Sequence, residues 1–455
     1  VRDGHVETAL DDVERGVGLR VVHDGSFGFA ARIDISAETG AVLAGEAVAM
    51  SKITSPAVTR TLELAPEPSH GAVTWVSPHE VDPTETSLAE KVEVLSTWTS
   101  RLGEKPGVDH VTAAILAVAE DSHLATSGGT VADQRRVRCL ARVEALSVDE
   151  KTGEFETMRT LVPPAGRGFE HVCSGEIDAE LEEMADQLAE KRRAPSVEPG
   201  LYDLVIDPSN LWLTIHESIG HATELDRVMG YEAGMAGTSF ALFEKLGVLR
   251  YGSEVMHVTA DRTVEGGLAT VAVDDEGVEA QSFELIRDGI LVGYQLDRRI
   301  AAEQGFARSN GCSYASSPLY FPLQRMANVS LQPALGAGPT TEELIGAVEH
   351  GIYVVGDKSW SIDMQRHNFQ FTGQRFYKIA KGRLCGQLKD VAYQAQTTEF
   401  WGAMQALGGA STWRLGGALN CGKGEPMQTA SVSHGCPSAL FRQVNILNTR
   451  AESGR

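Results

Sequence analysis

Apolar and polar positions alternate along several stretches of the first third of the chain, a period that is typical of half-buried β-strands. Residues 16–33 alternate around a His-Asp-Gly turn and predict a β-hairpin. A longer pair of strands is predicted at residues 111–122 and 136–147, joined by the Ser-Gly-Gly turn at residues 127–129. The first region of the chain therefore contains β-sheet.

Helical spacing is found in the same region. Ser87 and Glu90 form a capping-box pattern ahead of a run of spaced apolar residues, which predicts a helix that starts near Thr86. A second helix is predicted where apolar residues recur from Ile177 to Leu188 on an acidic background. We therefore expect helices and strands to be mixed in this region.

The stretch at residues 194–200, APSVEPG, contains two prolines and is the clearest linker signal in the chain. It predicts an N-terminal mixed α/β domain at residues 1–195 and a β-rich C-terminal domain at residues 196–455. The predicted fold class is α+β, with the helix that carries a HExxxH motif in the C-terminal domain.

The C-terminal pattern begins with a helix start signal. Asp207 suits an N-cap and Pro208 the first helical position, so a helix is predicted over residues 211–225. Most of the chain beyond this helix has the pattern of short strands. Strands are predicted at residues 254–259, 270–273, 283–286 and 290–294, and one further helix between the capping residues 340–343 and Gly351.

Composition excludes some classes of protein. The chain has 62 acidic and 40 basic residues, a formal net charge of −22, and would repel the phosphates of a nucleic acid. No apolar run of about 18 residues suggests a membrane span. The six cysteines lack CxxC spacing, which fits a reducing compartment and predicts a cytoplasmic protein. We expect neither a nucleic-acid nor a membrane partner.

The sequence HESIGH at residues 216–221 groups two imidazoles with a carboxylate. Catalytic zinc takes three protein ligands, keeps one position open and needs a base beside its water. His216 and His221 are therefore candidate metal ligands, and Glu217 is the candidate catalytic base. The histidines are five residues apart, so a regular helix would separate them by about 140°. A π-bulge near Gly220 would return them to one face.

The third ligand is not fixed by this motif. Glu224 and Asp226 are the local candidates, on what is predicted to be the same helix. Cys421 is a remote candidate, because it lies in a glycine-rich stretch and Lys423 nearby would favour its thiolate. Cys436 is the alternative thiol.

Several longer motifs occur in a defined order along nearly the whole chain. They are GVGLRVVHDGSFGFAAR (16–32), DLVIDPSNLWLTIHESIGHATELD (203–226), VAVDDEG (271–277), SYASSPLYFPLQRM (313–326), EHGIYV (349–354) and CGKGE (421–425). With these motifs the chain resembles the TldD/PmbA family of metallopeptidases, and specifically the metal-bearing TldD-type members.

The resemblance implies that His216 and His221 bind one zinc ion per chain and that Glu217 is the general base. The third ligand of the family is a cysteine in a late CGK segment, which matches Cys421. The family also implies a related, metal-less TldE/PmbA-type partner subunit, and a second copy of this chain is the alternative. Small unfolded peptides would enter a chamber and bind as an added β-strand.

The sequence thus leads to a zinc metallopeptidase that hydrolyses small unfolded peptides, in maturation or degradation. Three alternatives are a metal-dependent amide hydrolase acting on a modified small molecule or natural-product intermediate, a non-catalytic chamber subunit, and a modulator of a DNA enzyme. The acidic charge disfavours the last of these. Two roles are open for Arg325, which either orients a substrate carboxylate or carbonyl, or forms a structural salt bridge.

Overall fold

Helices and strands alternate in the first part of the chain, as the sequence predicts. The fold is taken from a computed structural model, which describes residues 1–452. In chain order the first elements are β1 (Val17–His23), β2 (Ser26–Arg32), α1 (Ala37–Thr54), β3 (Ala72–Val76), α2 (Leu88–Gly103), β4 (His110–Ala125), β5 (Val131–Val148), β6 (Phe155–Arg159) and α3 (Glu176–Arg193).

The predicted hairpins and helices of this part are confirmed. β1 and β2 pair around the predicted turn, and β4 and β5 pair antiparallel along their whole length. α2 begins with the predicted capping box, in which the Ser87 side chain accepts from the Glu90 amide and the Glu90 side chain accepts from the Ser87 amide. α2 and α3 cover one face of β4 and β5 and bury an apolar cluster between them, including Trp98, Val143 and Leu188.

The second part of the chain is rich in strands. Its elements are β7 (Gly200–Ile206), α4 (Pro208–Ile215), α5 (Leu225–Val228), β8 (Val258–Asp261), β9 (Ser282–Arg287), β10 (Ile290–Leu291), α6 (Arg298–Glu303), β11 (Ser313–Tyr314), β12 (Leu323–Gln324), β13 (Asn328–Leu331), α7 (Thr341–Gly346), β14 (His350–Ile362), β15 (Asn368–Ala380), β16 (Arg383–Leu388), β17 (Val391–Gln396), α8 (Thr397–Gly402), β18 (Met404–Leu407), β19 (Arg414–Lys423), β20 (Gln428–Cys436), β21 (Ala439–Asn448) and α9 (Thr449–Glu452).

Five of these strands pair in a closed circuit. β14 pairs with β7, β7 with β21, β21 with β17, β17 with β15, and β15 again with β14. A closed sheet has no unpaired edge along this circuit and buries its inward side chains. The largest apolar cluster of the described chain contains side chains from these strands and from α4, so the barrel supports the helix that carries the HESIGH sequence.

Four sequence predictions need correction here. Residues 270–273 form no strand, and Val273 makes only an isolated bridge to Glu279. β8 begins only at Val258, and β10 ends at Leu291. α7 starts at its predicted capping box but ends at Gly346, and Gly351 lies in β14. A side chain at Gly351 would meet the Asp203 carbonyl at 2.3 Å, so this glycine permits the close pairing of β14 with β7 and does not cap a helix.

The β1–β2 hairpin lies against the later part of the chain. The rings of Phe27 and Phe29 contact Phe321 edge-on, at centroid distances of 5.0 and 5.8 Å. Ala65 belongs to the same apolar cluster as the barrel. The division of the chain at residues 195 and 196 stays a prediction.

Among residues 1–452, no helix combines the length and the apolar composition that a membrane crossing requires.

Candidate metal centre

The helix that leads into HESIGH begins where the sequence predicts. The Asp207 carboxylate accepts a hydrogen bond of 3.0 Å from the Ser209 amide, and Pro208 occupies the first turn, where no amide hydrogen is needed. The second carboxylate oxygen of Asp207 accepts from the Tyr353 hydroxyl of β14 at 2.7 Å. This end of α4 is therefore fixed to the barrel.

The predicted π-bulge is present. Residues His216–Gly220 form a π-helical turn, and the amide of His221 donates to the carbonyl of His216, five residues earlier. The turn brings the two imidazole rings to a centroid distance of 4.7 Å. Gly220 leaves room for Met326, whose sulfur would lie 2.4 Å from a Cβ at this position.

The helix ends earlier than predicted. A short 3₁₀ turn at His221–Thr223 follows the bulge, and Glu224 has an extended backbone (φ −71°, ψ 112°). Glu224 and Asp226 therefore do not continue the helix of the histidines, which corrects the prediction of one helix over residues 211–225. The break turns the Glu224 carboxylate back towards His221.

His216, His221 and Cys421 converge, as the sequence predicts. Cys421 comes from β19, two hundred residues after His221, yet one ligand atom from each of the three residues lies within 4.8 Å of the others. The Cys421 sulfur is 3.5 Å from Nε2 of His221. All three residues are buried, each with 5% of its surface exposed.

The hydrogen bonds of His434 determine which nitrogen of His216 is free. Nδ1 of His434 lies 2.9 Å from the Val329 carbonyl, which can only accept, so this nitrogen carries a proton. Burial, together with the neighbouring His216, lowers the pKa of His434 well below its usual value, so its Nε2 is an acceptor. That atom is 2.8 Å from Nδ1 of His216, which must donate. Nε2 of His216 keeps its lone pair.

His221 is oriented in the same way by a carboxylate. Its Nδ1 donates to Glu224 at 2.8 Å, which leaves Nε2 as the free nitrogen. Glu224 also accepts from Lys423 at 3.0 Å, and Lys423 donates to Asp226 at 2.7 Å. Burial raises the pKa of Glu224, but Lys423 and His221 outweigh burial and hold it well below its usual value. Both carboxylates proposed as local ligands are therefore engaged elsewhere.

The donor set suits zinc. A tetrahedral zinc ion with ordinary bond lengths of about 2.1 Å to nitrogen and about 2.3 Å to sulfur places those atoms roughly 3.6 Å apart, close to the 3.5 Å between His221 and Cys421. Both imidazoles offer an unprotonated nitrogen, and each has its other nitrogen held by a neighbour. The site can therefore hold a zinc ion with three protein ligands.

The Cys421 thiol is favoured as a thiolate, but not by the predicted neighbour. Burial raises its pKa, while His221 and Arg325 outweigh burial and lower it. Cys421 and Lys423 are alternate residues of β19 and share a face of the strand. The Lys423 ammonium, however, donates to the Glu224 and Asp226 carboxylates, which lie on that face. The other candidate thiol, Cys436, contacts the Pro208 carbonyl at 3.7 Å and lies outside the cluster.

Glu217 lies in the same turn as the two histidines. It is 5% exposed, and one carboxylate oxygen accepts a hydrogen bond from Arg366, which lies in the connection between β14 and β15. Burial raises the pKa of Glu217, but His216, His221 and Arg366 outweigh it and keep the pKa below its usual value. The side chain is therefore an ionised acceptor.

Sequence patterns do not identify two residues of this network. The local signal for His434 is its place two residues before Cys436, but its contact with His216 depends on the pairing of its strand with the Cys421 strand, which the sequence does not show. Arg366 gives no signal, because its contact with Glu217 depends on a turn with a left-handed backbone (φ 62°) at Arg366 itself.

The chain is similar to known proteins along nearly its whole length. A family model described as PmbA/TldA metallopeptidase C-terminal domain matches residues 199–448, and one described as PmbA/TldA metallopeptidase domain 1 matches residues 1–51. A metalloprotease of Methanocaldococcus jannaschii is 26% identical over 399 residues, covering 87% of this chain and 83% of its own. A metalloprotease TldD homologue of Haemophilus influenzae is 26% identical over 463 residues, covering 99% and 90%.

Solved structures show the same fold. TldE from Thermococcus kodakarensis superimposes with a TM-score of 0.70 at 17% identity, over 94% of this chain and 88% of its own. A Thermotoga maritima protein described as a modulator of a DNA gyrase superimposes with a TM-score of 0.74 at 13% identity, over 98% and 92%. The C-terminal family model spans more than half of the chain and includes all three candidate ligands. The chain therefore belongs to the PmbA/TldA metallopeptidase family, as its sequence motifs indicate.

Proposed function

We propose that this chain is the metal-bearing, catalytic subunit of a zinc metallopeptidase that hydrolyses small unfolded peptides. His216, His221 and Cys421 are the proposed zinc ligands, with one ion per chain, and Glu217 is the proposed general base. The observation that carries the proposal is the convergence of the three ligand atoms within 4.8 Å. Glu217 lies in the same π-helical turn, where the two histidines lower its pKa.

The hydrogen bonds around the ligands support the proposal. Nδ1 of each histidine is fixed by a partner, and each Nε2 is turned towards the cluster, where that of His221 contacts the Cys421 sulfur at 3.5 Å. One nitrogen held by a neighbour and the other directed at the site is the usual arrangement of histidines that bind a metal. A structural pair of buried histidines would need an acceptor or donor for every nitrogen. The arrangement therefore favours a metal ion over a purely structural role.

The zinc ion, Glu217 and Arg366 would contribute to peptide hydrolysis in different ways. A zinc ion held here would polarise a water molecule and the scissile carbonyl. Glu217 takes a proton from the attacking water and delivers it to the nitrogen of the leaving amine, as the carbon–nitrogen bond breaks. Arg366 holds one oxygen of Glu217 and thereby orients the carboxylate for this transfer.

The proposed assembly includes a related, metal-less subunit of the TldE/PmbA type, or a second copy of this chain. The likeness of this fold to TldE supports a pairing of similar subunits. A peptide would lie along a strand edge in the enclosed space between them, where main-chain hydrogen bonds bind it with little regard to its side chains. This accounts for selection of unfolded peptides.

Glu217→Gln tests the assignment of the base. We expect zinc content to be unchanged and peptide cleavage to fall by about 10²- to 10⁴-fold, because the amide cannot accept the proton. The measurement is mass spectrometry of a random peptide mixture, incubated with the protein alone and with its candidate partner. Glu284→Gln, an exposed surface substitution, is the control. Undiminished cleavage by Glu217→Gln would refute the assignment.

Cys421→Ala tests the third ligand. Removing the thiolate leaves two imidazoles to hold the ion, so we expect the zinc-to-protein ratio of the purified chain to fall well below one. Cys436→Ala is the matched control, because this thiol is equally buried but outside the cluster. An unchanged ratio in Cys421→Ala would remove Cys421 from the site.

A further inference from the structure

A small cavity lined by arginines lies beside the proposed metal centre, at the junction of β5 with the later part of the chain. Two of its arginines come from β5, one follows β8, and one lies between β12 and β13. The side chains that define it are Arg136, Arg138, Arg262, Arg325, Tyr314 and Met326. Four arginines therefore line one small space.

Two of these arginines, Arg262 and Arg325, form no ion pair with any of residues 1–452. Arg262 and Arg325 are each only 2% exposed, and the Nε atom of each is buried without a hydrogen-bond partner. Arg325 donates to the carbonyl of Cys421 at 2.5 Å and to that of Gln428 at 3.4 Å. The predicted structural salt bridge of Arg325 is therefore not found among residues 1–452.

The nearest acids are already engaged. Glu120 accepts from both Arg136 and Arg138. Asp274 accepts from the amides of Val278 at 2.9 Å and Ser313 at 3.0 Å, and lies near Arg262 without an ion pair. Asp275 also lies near Arg262 and Arg136 and accepts from the Ala315 amide at 2.7 Å. Burial raises the pKa of both aspartates, to about 7 for Asp274, so these two groups offset the charge of Arg262 only in part.

Arg138 is affected both by burial and by a neighbouring positive charge. Burial, followed by the neighbouring Arg136, lowers the pKa of Arg138. A buried charge without a partner is strongly destabilising, so folded proteins pair buried charges with an opposite charge. The cavity measures about 10 Å³, which is roughly the space required by one water molecule or one ion of similar size.

We propose that this cavity binds a single small anion, chloride in size, between Arg262 and Arg325. The anion gives both guanidinium groups the ionic partner that no side chain of residues 1–452 provides, and the cavity is too small for a carboxylate with its attached chain. Because Arg325 also donates to the Cys421 carbonyl, the bound anion holds Arg325 against β19 next to the proposed zinc ligand. It also joins β5 to the loops after β8 and β12.

A solution experiment tests the site through stability. The thermal unfolding midpoint of the full chain, loaded with zinc, is measured in sodium chloride and sodium bromide against sodium gluconate at equal ionic strength. Halide should raise the midpoint in a saturable way, and gluconate, which is too large for the cavity, should not. In Arg262→Gln the halide response should weaken at least tenfold in apparent affinity. Arg287→Gln, an exposed control, should keep the full response.

A crystallographic experiment on the unmodified protein covers the case in which Arg262→Gln does not fold. Crystals grown with sodium bromide should give an anomalous peak between the guanidinium groups of Arg262 and Arg325. The proposal is overturned by a water molecule alone at this position, by an equal rise of the midpoint in gluconate, or by an undiminished halide response in Arg262→Gln. None of these readouts depends on peptidase activity, so failure of this proposal and failure of the proposed function can be told apart.

Discussion

The imidazole of His216 can place its proton on either of two nitrogens, and only a proton on Nδ1 leaves the lone pair on Nε2, the nitrogen that His434 does not engage. His434 selects that placement, because its own proton is committed to the Val329 carbonyl. A buried carboxylate does the same for His221. The two proposed ligands are therefore set in the tautomer that a metal ion needs, which reduces the rearrangement that binding would require.

His434→Ala tests this positioning role. Loss of the partner should lower the affinity for zinc by about 10- to 100-fold, because His216 can then rotate or move its proton. The affinity is measured by competition with a chromophoric chelator, which does not depend on activity. His434→Gln should recover part of the affinity, since its amide can accept from His216 and donate to Val329. His350→Ala, an exposed histidine of β14, is the control, and equal affinity in His434→Ala would contradict the role.

At the scale of the element, the π-helical turn depends on a position without a side chain. Gly220 sits against the sulfur of Met326, and Met326 is itself 2% exposed. The turn thus needs a glycine for packing, although its backbone there is helical. This requirement comes from a residue more than a hundred positions away and leaves no local pattern in the sequence.

Gly220→Ala should therefore disturb both stability and the metal site. The added methyl group would lie 2.4 Å from the Met326 sulfur, and such overpacking typically costs about 1 to 3 kcal/mol. Chemical denaturation and zinc titration measure the two effects. Gly45→Ala is the matched control, because it lies in α1 with open space around its Cβ position, and should be neutral or stabilising. A Gly220→Ala protein with parental stability would show that Met326 adjusts freely.

Local patterns predicted the elements that carry strong end signals. The capping boxes at Ser87 and Thr340 and the proline at position 208 each start a helix where expected. The strand predicted at residues 270–273 fails for a tertiary reason, because the Gln134 side chain of β5 accepts from the amides of Ala272 and Val273 in place of a strand partner.

The site was predictable where its residues are close in sequence or carry distinctive chemistry. The HESIGH sequence indicated the two histidines and the proposed base. The five-residue spacing of the histidines predicted the π-bulge, which the structure contains. Its supporting contacts could not be derived, because they depend on a hairpin connection (Arg366) and on the pairing of β19 with β20 (His434).

At the scale of the whole molecule, a buried acidic group links the β1–β2 hairpin to the later part of the chain. Glu276 pairs with Arg20 of β1 at 2.8 Å and accepts from the Arg298 amide at 2.8 Å. Asp297 lies nearby, and burial together with the charge of Glu276 raises its pKa to about 7. The junction thus contains a carboxyl group that holds its proton up to neutral pH.

This group predicts a pH dependence of stability. The ordinary pKa is 3.8 and the folded value about 7, so between these values the folded chain binds a proton that the unfolded chain does not. Stability should therefore fall as pH rises from about 4 to about 7, by up to about 1.4 kcal/mol per pH unit for one proton. Asp297→Asn should flatten this slope and still cap α6, where residue 297 accepts from the Ile300 amide.

Denaturant unfolding at several pH values between 5 and 8 measures the effect as the difference between parent and variant, which removes contributions common to both. Asp11→Asn, at an exposed position, should reproduce the parental slope. A parental slope in Asp297→Asn would mean that Asp297 is ionised throughout this range in the folded protein.

The π-helical turn adds one residue to the helix without turning His221 away from His216. The two histidines are five residues apart, one more than on one face of a regular helix, and their rings still lie together. A pattern search for two histidines four apart would pass over this chain, although its two imidazoles lie together as such a pair would. Spacing rules written for regular helices therefore need a variant with one inserted residue.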